Sequence, residues 1–127
     1  MSVVGLLDTS IVIALPGSRA LELPERAAVS TMTLAELQLG AALAGVEQRS
    51  IRLGLLARAQ RTFDALPVDA LVAERYGQLR AAVRRAGRRL GVADALIAAT
   101  ALAHGIALYT LDEDFRDLPG LDVVVSE

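Results

Sequence analysis

Short apolar runs alternate with longer stretches of helical periodicity along the whole chain. The first apolar run, residues 3–7, stops at Asp8, which predicts a buried strand followed by a polar turn. A short helix is expected to follow as far as Leu15, with Thr9 or Ser10 as its N-cap. The chain is therefore predicted to begin with one strand and one helix.

The next segment repeats the order of strand and helix. Residues 27–30 predict a second strand, and Thr33 begins a helix over residues 34–44. A third helix is expected over about residues 47–65, followed by a very short edge strand at 66–68. Strand, helix and strand together predict a first crossover unit of a parallel sheet.

The second half of the chain continues this alternation. Val72, Tyr76, Leu79 and Val83 recur at spacings of four, three and four, which makes one apolar helical stripe. A nearly all-apolar helix, a strand, an acidic loop and a last strand are then expected at residues 93–104, 106–110, 111–119 and 121–125. The alternation predicts an α/β fold: an α/β/α sandwich with a central, mostly parallel sheet of about five strands.

The composition limits the chemistry that this chain can perform. Its 127 residues fit one domain, expected to span residues 1–127. Cysteine is absent and histidine occurs once, which excludes thiol nucleophiles, disulfides and Cys/His zinc sites. All 13 basic residues are arginines, so lysine Schiff-base catalysis is excluded as well. Carboxylates, hydroxyls and arginines remain as the groups that could act.

Charge and hydropathy say little about partners. The formal net charge of -2 gives no overall attraction to nucleic acid, so phosphate binding would need a local patch. The apolar N-terminal stretch lacks a basic segment and is interrupted by Asp8, and a membrane span needs about 20 apolar residues in a row. We therefore expect a cytoplasmic protein with no membrane partner.

Four acidic residues stand where a predicted strand ends or a predicted helix begins. They are Asp8, Glu36, Asp94 and Asp112, with Asp114 as a substitute for the last. If the first and fourth strands are neighbours, these carboxylates meet at one edge of the sheet. Two carboxylates about 5 Å apart repel by roughly 3 kcal/mol at an effective dielectric constant near 20, so such a cluster needs bound cations. An all-oxygen pocket favours Mg²⁺, or Mn²⁺ in its place, which would activate a water for phosphodiester hydrolysis.

Each acidic residue also has a purely structural interpretation. Asp8 fits the turn after the first strand, Glu36 completes a capping box with Thr33, and Asp94 suits the first turn of a helix. Asp94 is the hardest to interpret in this way, because the rest of its helix is apolar and carries the carboxylate towards the interior. The acidic loop around Asp112 is typical of solvated surface.

A basic segment follows the helix with the apolar stripe. It contains five arginines and no acidic residue, and the arginines are Arg80, Arg84, Arg85, Arg88 and Arg89. Two interpretations stay open for this segment: contact with the phosphates of RNA, or a solvated helix end stabilised by the helix dipole.

Four short motifs occur in order along the chain. They are Leu7-Asp8-Thr9-Ser10, Thr33-x-x-Glu36, Gly91-x-x-Asp94-x-x-Ile97-Ala98 and Thr110-x-Asp112-x-Asp114-Phe115. Together they resemble the PIN domain, and more closely the VapC toxins of VapBC toxin–antitoxin pairs. The resemblance covers essentially the whole chain.

The resemblance implies a Mg²⁺-dependent endoribonuclease that acts as the toxin of a type II toxin–antitoxin pair and hydrolyses RNA with a metal-activated water. By this resemblance Asp8 and Asp94 hold the metal directly. Glu36 and Asp112 complete the pocket, commonly through water.

The resemblance also implies supporting groups and partners. Ser10 and Thr110 would be supporting hydroxyls, and Asp114 competes with Asp112 as the carboxylate that faces the metal. A homodimer is implied, together with a VapB-like antitoxin whose C-terminal segment covers the site.

Two other classes of protein fit part of the pattern. A haloacid-dehalogenase phosphatase also has Asp after its first strand, but it needs a second Asp at the place where this chain has Ser10. A catalytically silent PIN-like module for protein interaction or RNA binding would lack one or more of the acidic residues, and all are present here. The sequence therefore favours the nuclease.

Overall fold

The helices and strands follow the alternation that the sequence predicts. The computed structural model describes residues 4–127, so the predicted start of the first strand at Val3 lies outside the described residues. In chain order the elements are β1 (Val4–Leu7), α1 (Thr9–Ala14), β2 (Arg26–Ser30), α2 (Thr31–Leu43), α3 (Val46–Thr62), β3 (Asp64–Leu66), α4 (Ala70–Arg85), α5 (Val92–His104), β4 (Ala107–Thr110), a 3₁₀ helix (Glu113–Phe115) and β5 (Val123–Val125).

A five-stranded sheet forms the centre of the molecule. Its order is β3-β2-β1-β4-β5, and every neighbouring pair is parallel, which confirms the predicted α/β fold. The chain builds β2 and β3 outward from β1, then returns to place β4 on the other side of β1. In parallel sheets, ligands bind beyond the carboxyl ends of the strands where the order reverses. Here that place follows Leu7 of β1 and Thr110 of β4, and we call it the switch-point crevice.

Helices cover both faces of the sheet because successive residues of a strand point to opposite sides. Leu6 points to one face and packs in a buried cluster with residues of α4 and α5, including Leu79 and Ile97. Leu7 points to the other face and packs with residues of α1, α2 and α3, including Ile11 and Leu37. The end of β1 is therefore fixed by two separate cores, one on each side.

Helix α5 runs through the interior of the molecule. Its buried residues include Ala95, Ile97 and Ala101, and the small alanines allow close packing against the sheet and α4. It ends at Gly105, whose φ of 61° is the left-handed conformation common at helix C-termini. None of the helices within residues 4–127 is both long and apolar enough to cross a membrane. Because α5 is enclosed, the residues of its first turn are fixed relative to the sheet.

Gly5 allows β1 to lie directly beneath an aromatic ring. A Cβ atom built at Gly5 would overlap the ring of Tyr109 and would come within 2.9 Å of Cβ of Pro24. A larger residue at this position would therefore push apart β1 and the residues that pack over it.

The N-cap of α1 differs from the prediction. It is Asp8, rather than Thr9 or Ser10. The backbone carbonyl of Asp8 accepts from the N–H of Ile11 at 3.0 Å, while its side chain makes no capping hydrogen bond. The carboxylate of Asp8 is consequently left for other contacts.

The start of α2 also differs, and it changes the interpretation of Glu36. The hydroxyl of Ser30 accepts from the N–H of Met32 at 3.1 Å and caps the helix, which therefore begins at Thr31. Thr33 lies inside α2, so the predicted capping box with Glu36 is wrong. Capping does not explain the carboxylate of Glu36.

The strands at both edges of the sheet are displaced or shorter than predicted. Strand β3 lies two residues before the predicted 66–68, because α3 already ends at Thr62. Strand β5 covers three residues, Val123–Val125, and begins two residues later than predicted. These differences lie away from the switch-point crevice.

Candidate active site

Asp8 is buried at the carboxyl end of β1, in the switch-point crevice. Only 4% of its surface is exposed. Its Oδ2 atom accepts hydrogen bonds from Oγ of Ser10 at 2.7 Å and Oγ1 of Thr110 at 2.8 Å. Among residues 4–127, no group donates a hydrogen bond to its Oδ1 atom. Every fully buried side-chain oxygen or nitrogen of these residues has a hydrogen-bond partner, so Oδ1 is not fully buried. The second oxygen therefore faces the crevice and is available to a cation.

The hydroxyl of Thr110 connects the ends of two strands. It donates to Asp8 and accepts from the backbone N–H of Asp112 at 3.0 Å. The hydroxyl of Ser10 donates to Asp8 as well and accepts from the N–H of Leu111 at 3.1 Å. The carboxylate of Asp8 and the start of the loop after β4 are thus held by the same two hydroxyl groups.

Glu36 is held on α2 by a side chain of α1. Its Oε1 atom accepts from Oγ1 of Thr9 at 2.6 Å, and Oγ1 of Thr9 also lies 3.0 Å from Oγ1 of Thr33. Thr9 is the donor in both contacts, and its single proton favours the shorter contact to the charged oxygen of Glu36 over the contact to Thr33. The hydroxyl of Thr9 therefore holds the carboxylate of Glu36 beside Thr33. Thr9 was predicted only as a possible N-cap and as part of the first motif, and nothing in the sequence indicates its contact with Glu36.

Asp94 lies in the first turn of α5 and is half-buried. Burial, as the largest cause, and the negative charges of four other carboxylates together raise the pKa of its carboxyl from 3.8 to about 6. In decreasing order of effect, these carboxylates are Asp8, Glu36, Asp112 and Asp114. The structure therefore brings together all five acidic residues that the sequence singled out, and we call these five the acidic site.

Asp112 and Asp114 differ in their contacts. Asp112 caps the 3₁₀ helix, where its Oδ1 atom accepts from the N–H of Asp114 at 2.9 Å. Asp112 is half-buried and Asp114 is exposed. Asp112 also has the larger effect on the pKa of Asp94. These observations favour Asp112 as the carboxylate that faces the site.

The acidic site fits a hard divalent cation by its chemistry. All of its donors are carboxylate or hydroxyl oxygens, the ligands that Mg²⁺ and Mn²⁺ prefer. Among residues 4–127, no group of three acidic or histidine side chains is placed to hold an ion by itself. A Mg²⁺ site requires only one or two direct protein carboxylates, because water fills the remaining positions.

The arginine cluster divides into two groups. Arg80 donates to the carbonyl of Leu90 at 3.1 Å and stacks 5.7 Å from the centre of the Tyr76 ring, and Arg88 donates to backbone carbonyls. The other three side chains are exposed and make no hydrogen bond or ion pair with the described residues; they are Arg84, Arg85 and Arg89.

A groove of about 480 Å³ opens beside Glu36, between α1, α2 and α3. Its apolar lining includes Ile13 and Ile51, which are 53% and 66% exposed. Arg52 and Arg58 also line it. The groove thus offers an apolar floor with positive charge and contains one carboxylate of the acidic site.

Comparison with known proteins defines the class to which this chain belongs. The sequence profile of the PIN domain matches residues 5–121, and the chain belongs to the PIN-domain family. Over 125 residues it is 40% identical to Ribonuclease VapC4 of Mycobacterium tuberculosis (strain ATCC 25618 / H37Rv), and the aligned region covers 94% of each protein. Over 102 residues it is 51% identical to Ribonuclease VapC8 of the same strain, which covers 77% of this chain and 90% of VapC8.

A solved structure gives the same result. The chain is similar in structure to a chain in the crystal structure of VapBC-5 from Mycobacterium tuberculosis, a member of the VapBC family of toxin-antitoxin systems. The TM-score is 0.84 and the sequence identity is 30%. The match covers 97% of this chain and 98% of that one. The resemblance to VapC-type PIN domains that the four motifs carry is therefore confirmed.

Proposed function

We propose that this protein is a Mg²⁺-dependent endoribonuclease and the toxin of a type II toxin–antitoxin pair. The observation that carries the proposal is that four carboxylates lie close enough to Asp94 for their charges to raise its pKa. A concentration of negative charge without a cation destabilises the fold, whereas a divalent cation offsets it. The ribonuclease names of its relatives support the same activity.

Within the acidic site, Asp8 and Asp94 would hold Mg²⁺ directly, and Glu36 and Asp112 would hold it through water. The cation would supply positive charge to the scissile phosphate and lower the pKa of the attacking water, and Mn²⁺ would substitute for it. The raised pKa leaves Asp94 partly protonated near pH 6, and a bound cation would favour its deprotonated form.

The hydroxyl groups of the site would fix the direction of the carboxylates. Ser10 and Thr110 each donate to Asp8, and Thr9 donates to Glu36. A carboxylate that accepts such bonds loses rotational freedom, and its remaining oxygen keeps one position relative to the phosphate. The protein's contribution to hydrolysis is therefore a preorganised set of oxygen ligands, with no histidine base.

RNA would reach the site along the basic segment that starts at Arg80. We assign phosphate contacts first to the three exposed arginines without intramolecular bonds, Arg84, Arg85 and Arg89. Each phosphate contact adds to the affinity for any RNA sequence and weakens as salt rises.

The groove beside Glu36 would receive the C-terminal segment of a VapB-like antitoxin. The structure of VapBC-5 is that of a toxin–antitoxin family member, which supports a partner of this kind. An extended segment with apolar side chains would cover Ile13 and Ile51 and reach the acidic site from the side of Glu36. We also propose a homodimer as the state of the toxin, which light scattering of the purified protein would test.

Cleavage assays test the proposal. The protein, freed of any antitoxin, should cleave RNA in Mg²⁺ or Mn²⁺ and stop when a chelator is added. Asp94→Asn should abolish cleavage, whereas Asp64→Asn, an equal change at an exposed edge-strand residue, should leave it unchanged. Equal cleavage by Asp94→Asn and the parent would refute the role of Asp94.

A catalytically silent PIN-like module is the second candidate. It would bind RNA or a protein partner through the same surfaces without cleaving either. Calorimetry separates the two, because the nuclease requires Mg²⁺ binding that Asp94→Asn weakens. A protein that binds RNA but takes up no divalent cation, with or without RNA, would be the silent module.

A further inference from the structure

Arg88 holds the loop that carries the last two acidic residues. Its Nη1 atom donates to the carbonyl oxygen of Asp117 at 3.0 Å. Its Nη2 atom donates to the carbonyl oxygens of Arg116 at 3.0 Å and Asp114 at 3.3 Å. All three carbonyls belong to the loop that follows Asp112. One side chain thus fastens a segment that is 26 to 29 residues away in the chain.

The backbone of Arg88 is fixed by the way α4 ends. Gly87 has a φ of 69°, a left-handed conformation that glycine adopts at little cost. The N–H of Arg88 donates to the carbonyl of Val83 at 3.0 Å, and the N–H of Gly87 donates to that of Arg84 at 3.0 Å. This pair of bonds is the Schellman motif. The arginine side chain therefore extends from a rigid turn.

The same turn leads directly into the helix that carries Asp94. Arg80 donates to the carbonyl of Leu90, and the side chain of Leu90 is buried in the core. The next residue, Gly91, is the N-cap of α5, and Asp94 lies in the first turn. Arg88 thus stands three residues before the N-cap of α5, and its side chain binds the loop after β4.

Two side chains of the loop after β4 anchor it in the hydrophobic core. Phe115 and Leu118 are buried in the core beside α4 and α5. Asp117 between them has a φ of 59°, which is uncommon for a residue other than glycine. The guanidinium of Arg88 binds the carbonyls of this loop on its exposed side.

We propose that Arg88 is a positioning residue of the acidic site, which holds Asp112 and Asp114 towards Asp94 rather than contacting RNA. The inference rests on the nuclease function proposed above. A planar guanidinium is suited to this task because it presents several donors in a fixed array, whereas an ammonium is a single point charge. The role distinguishes Arg88 from the exposed arginines of the same cluster.

The test compares Arg88→Gln with Arg89→Gln. Both remove one positive charge from adjacent exposed residues, and Arg89 makes no hydrogen bond to the described part of the chain. Amide hydrogen exchange over residues 111–121 is measured in chelator, and RNA cleavage is measured across a range of Mg²⁺ concentrations. Arg88→Lys is the third variant, since it keeps the charge and loses the planar array.

Arg88→Gln is expected to speed exchange in the loop about tenfold. Because the loop carries Asp112, kcat is expected to fall about tenfold and the half-maximal Mg²⁺ concentration to rise, while KM for RNA stays within about twofold. Arg89→Gln should leave exchange and kcat unchanged and raise KM. Arg88→Lys should recover less than half of the protection from amide hydrogen exchange that the loop loses in Arg88→Gln.

Two results would overturn the inference. One is unchanged loop exchange in Arg88→Gln together with a raised KM, since Arg88 would then act on RNA through charge. The other is full recovery by Arg88→Lys. If Arg88→Gln fails to fold, Arg88→Lys carries the same comparison below its melting temperature. If the parent does not cleave RNA, the nuclease proposal fails, whereas the exchange measured without metal still decides what Arg88 holds.

Discussion

Asp94→Asn is the substitution that most directly tests the repulsion within the acidic site. The change keeps the shape of the side chain and removes its negative charge. Burial and four neighbouring carboxylates raise the pKa of Asp94 from 3.8 to about 6 in the folded protein. Above pH 6 the folded chain must therefore keep a charge that its surroundings oppose, and Asn removes that requirement.

The size of the effect follows from the difference between the folded and unfolded pKa values. Each pKa unit corresponds to about 1.4 kcal/mol, so a fully enclosed group would account for about 3 kcal/mol. Asp94 is half-exposed and lies at a helix N-terminus, so solvent screening and the helix dipole reduce this to about 1 kcal/mol. For a chain of this size, about 1 kcal/mol corresponds to a rise of about 4 °C in Tm.

The raised pKa of Asp94 determines how the stability difference between the parent and Asp94→Asn changes with pH. The pKa of Asp94 is higher in the folded protein, about 6, than in the unfolded chain, 3.8. The folded state therefore gains its full stabilisation from protonated Asp94 below pH 3.8, and it loses this stabilisation as the pH rises through about 6. In chelator, Asp94→Asn should therefore melt above the parent at pH 7.5. The difference should shrink through pH 5 and vanish near pH 4.

Thermal melting followed by circular dichroism, with and without Mg²⁺, is the assay. Added Mg²⁺ should raise the Tm of the parent and of the control Asp64→Asn, but not that of Asp94→Asn. A constant difference in Tm between parent and Asp94→Asn from pH 4 to 7.5 would refute the reasoning, because the charge of Asp94 would then be unopposed. Equal stabilisation of the parent and of Asp94→Asn by Mg²⁺ would refute Asp94 as a ligand of the cation.

Three further substitutions test the packing and the hydroxyl groups. Gly5→Ala should lower the free energy of unfolding in urea by about 2 kcal/mol, because its Cβ overlaps the ring of Tyr109; an unchanged midpoint would contradict this close approach. Thr9→Val should reduce RNA cleavage about 10- to 100-fold by releasing Glu36, whereas Thr9→Ser should retain it. Thr110→Val should lower the free energy of unfolding by about 2 kcal/mol in thermal or urea unfolding, since one buried and one part-buried hydrogen bond lose their partner, and Thr110→Ser should restore most of it.

The periodicity of the apolar residues was enough to predict the fold. Alternating strands and helices leave few topologies. The sequence left the position of β4 beside β1 as a condition, and the structure shows that the two strands are neighbours. The acidic residues were found because strand ends and helix starts are visible in the sequence. Their meeting at one edge then depends on topology, whereas the pairing of Asp8 with Asp94, 86 positions apart, came from the resemblance to the PIN-domain family.

The errors have a different origin. Thr33 and Ser30 are both good N-caps, and sequence alone does not decide which of them begins α2. The tasks of Thr9 and Arg88 were invisible because each depends on a partner that is distant in the chain. Arg88 binds backbone carbonyls, which every residue possesses, so the sequence of the loop carries no sign of the bond. Such contacts can be identified only when the elements have been placed.

The single hydroxyl of Thr110, which joins Asp8 to Asp112, has a consequence for how activity arises. The two acidic residues that it links are 104 positions apart in the chain. Asp8 follows β1 and Asp112 follows β4, so this link can form only after both strands have paired. A partly folded chain would therefore lack the acidic site, and site and sheet would appear together during folding.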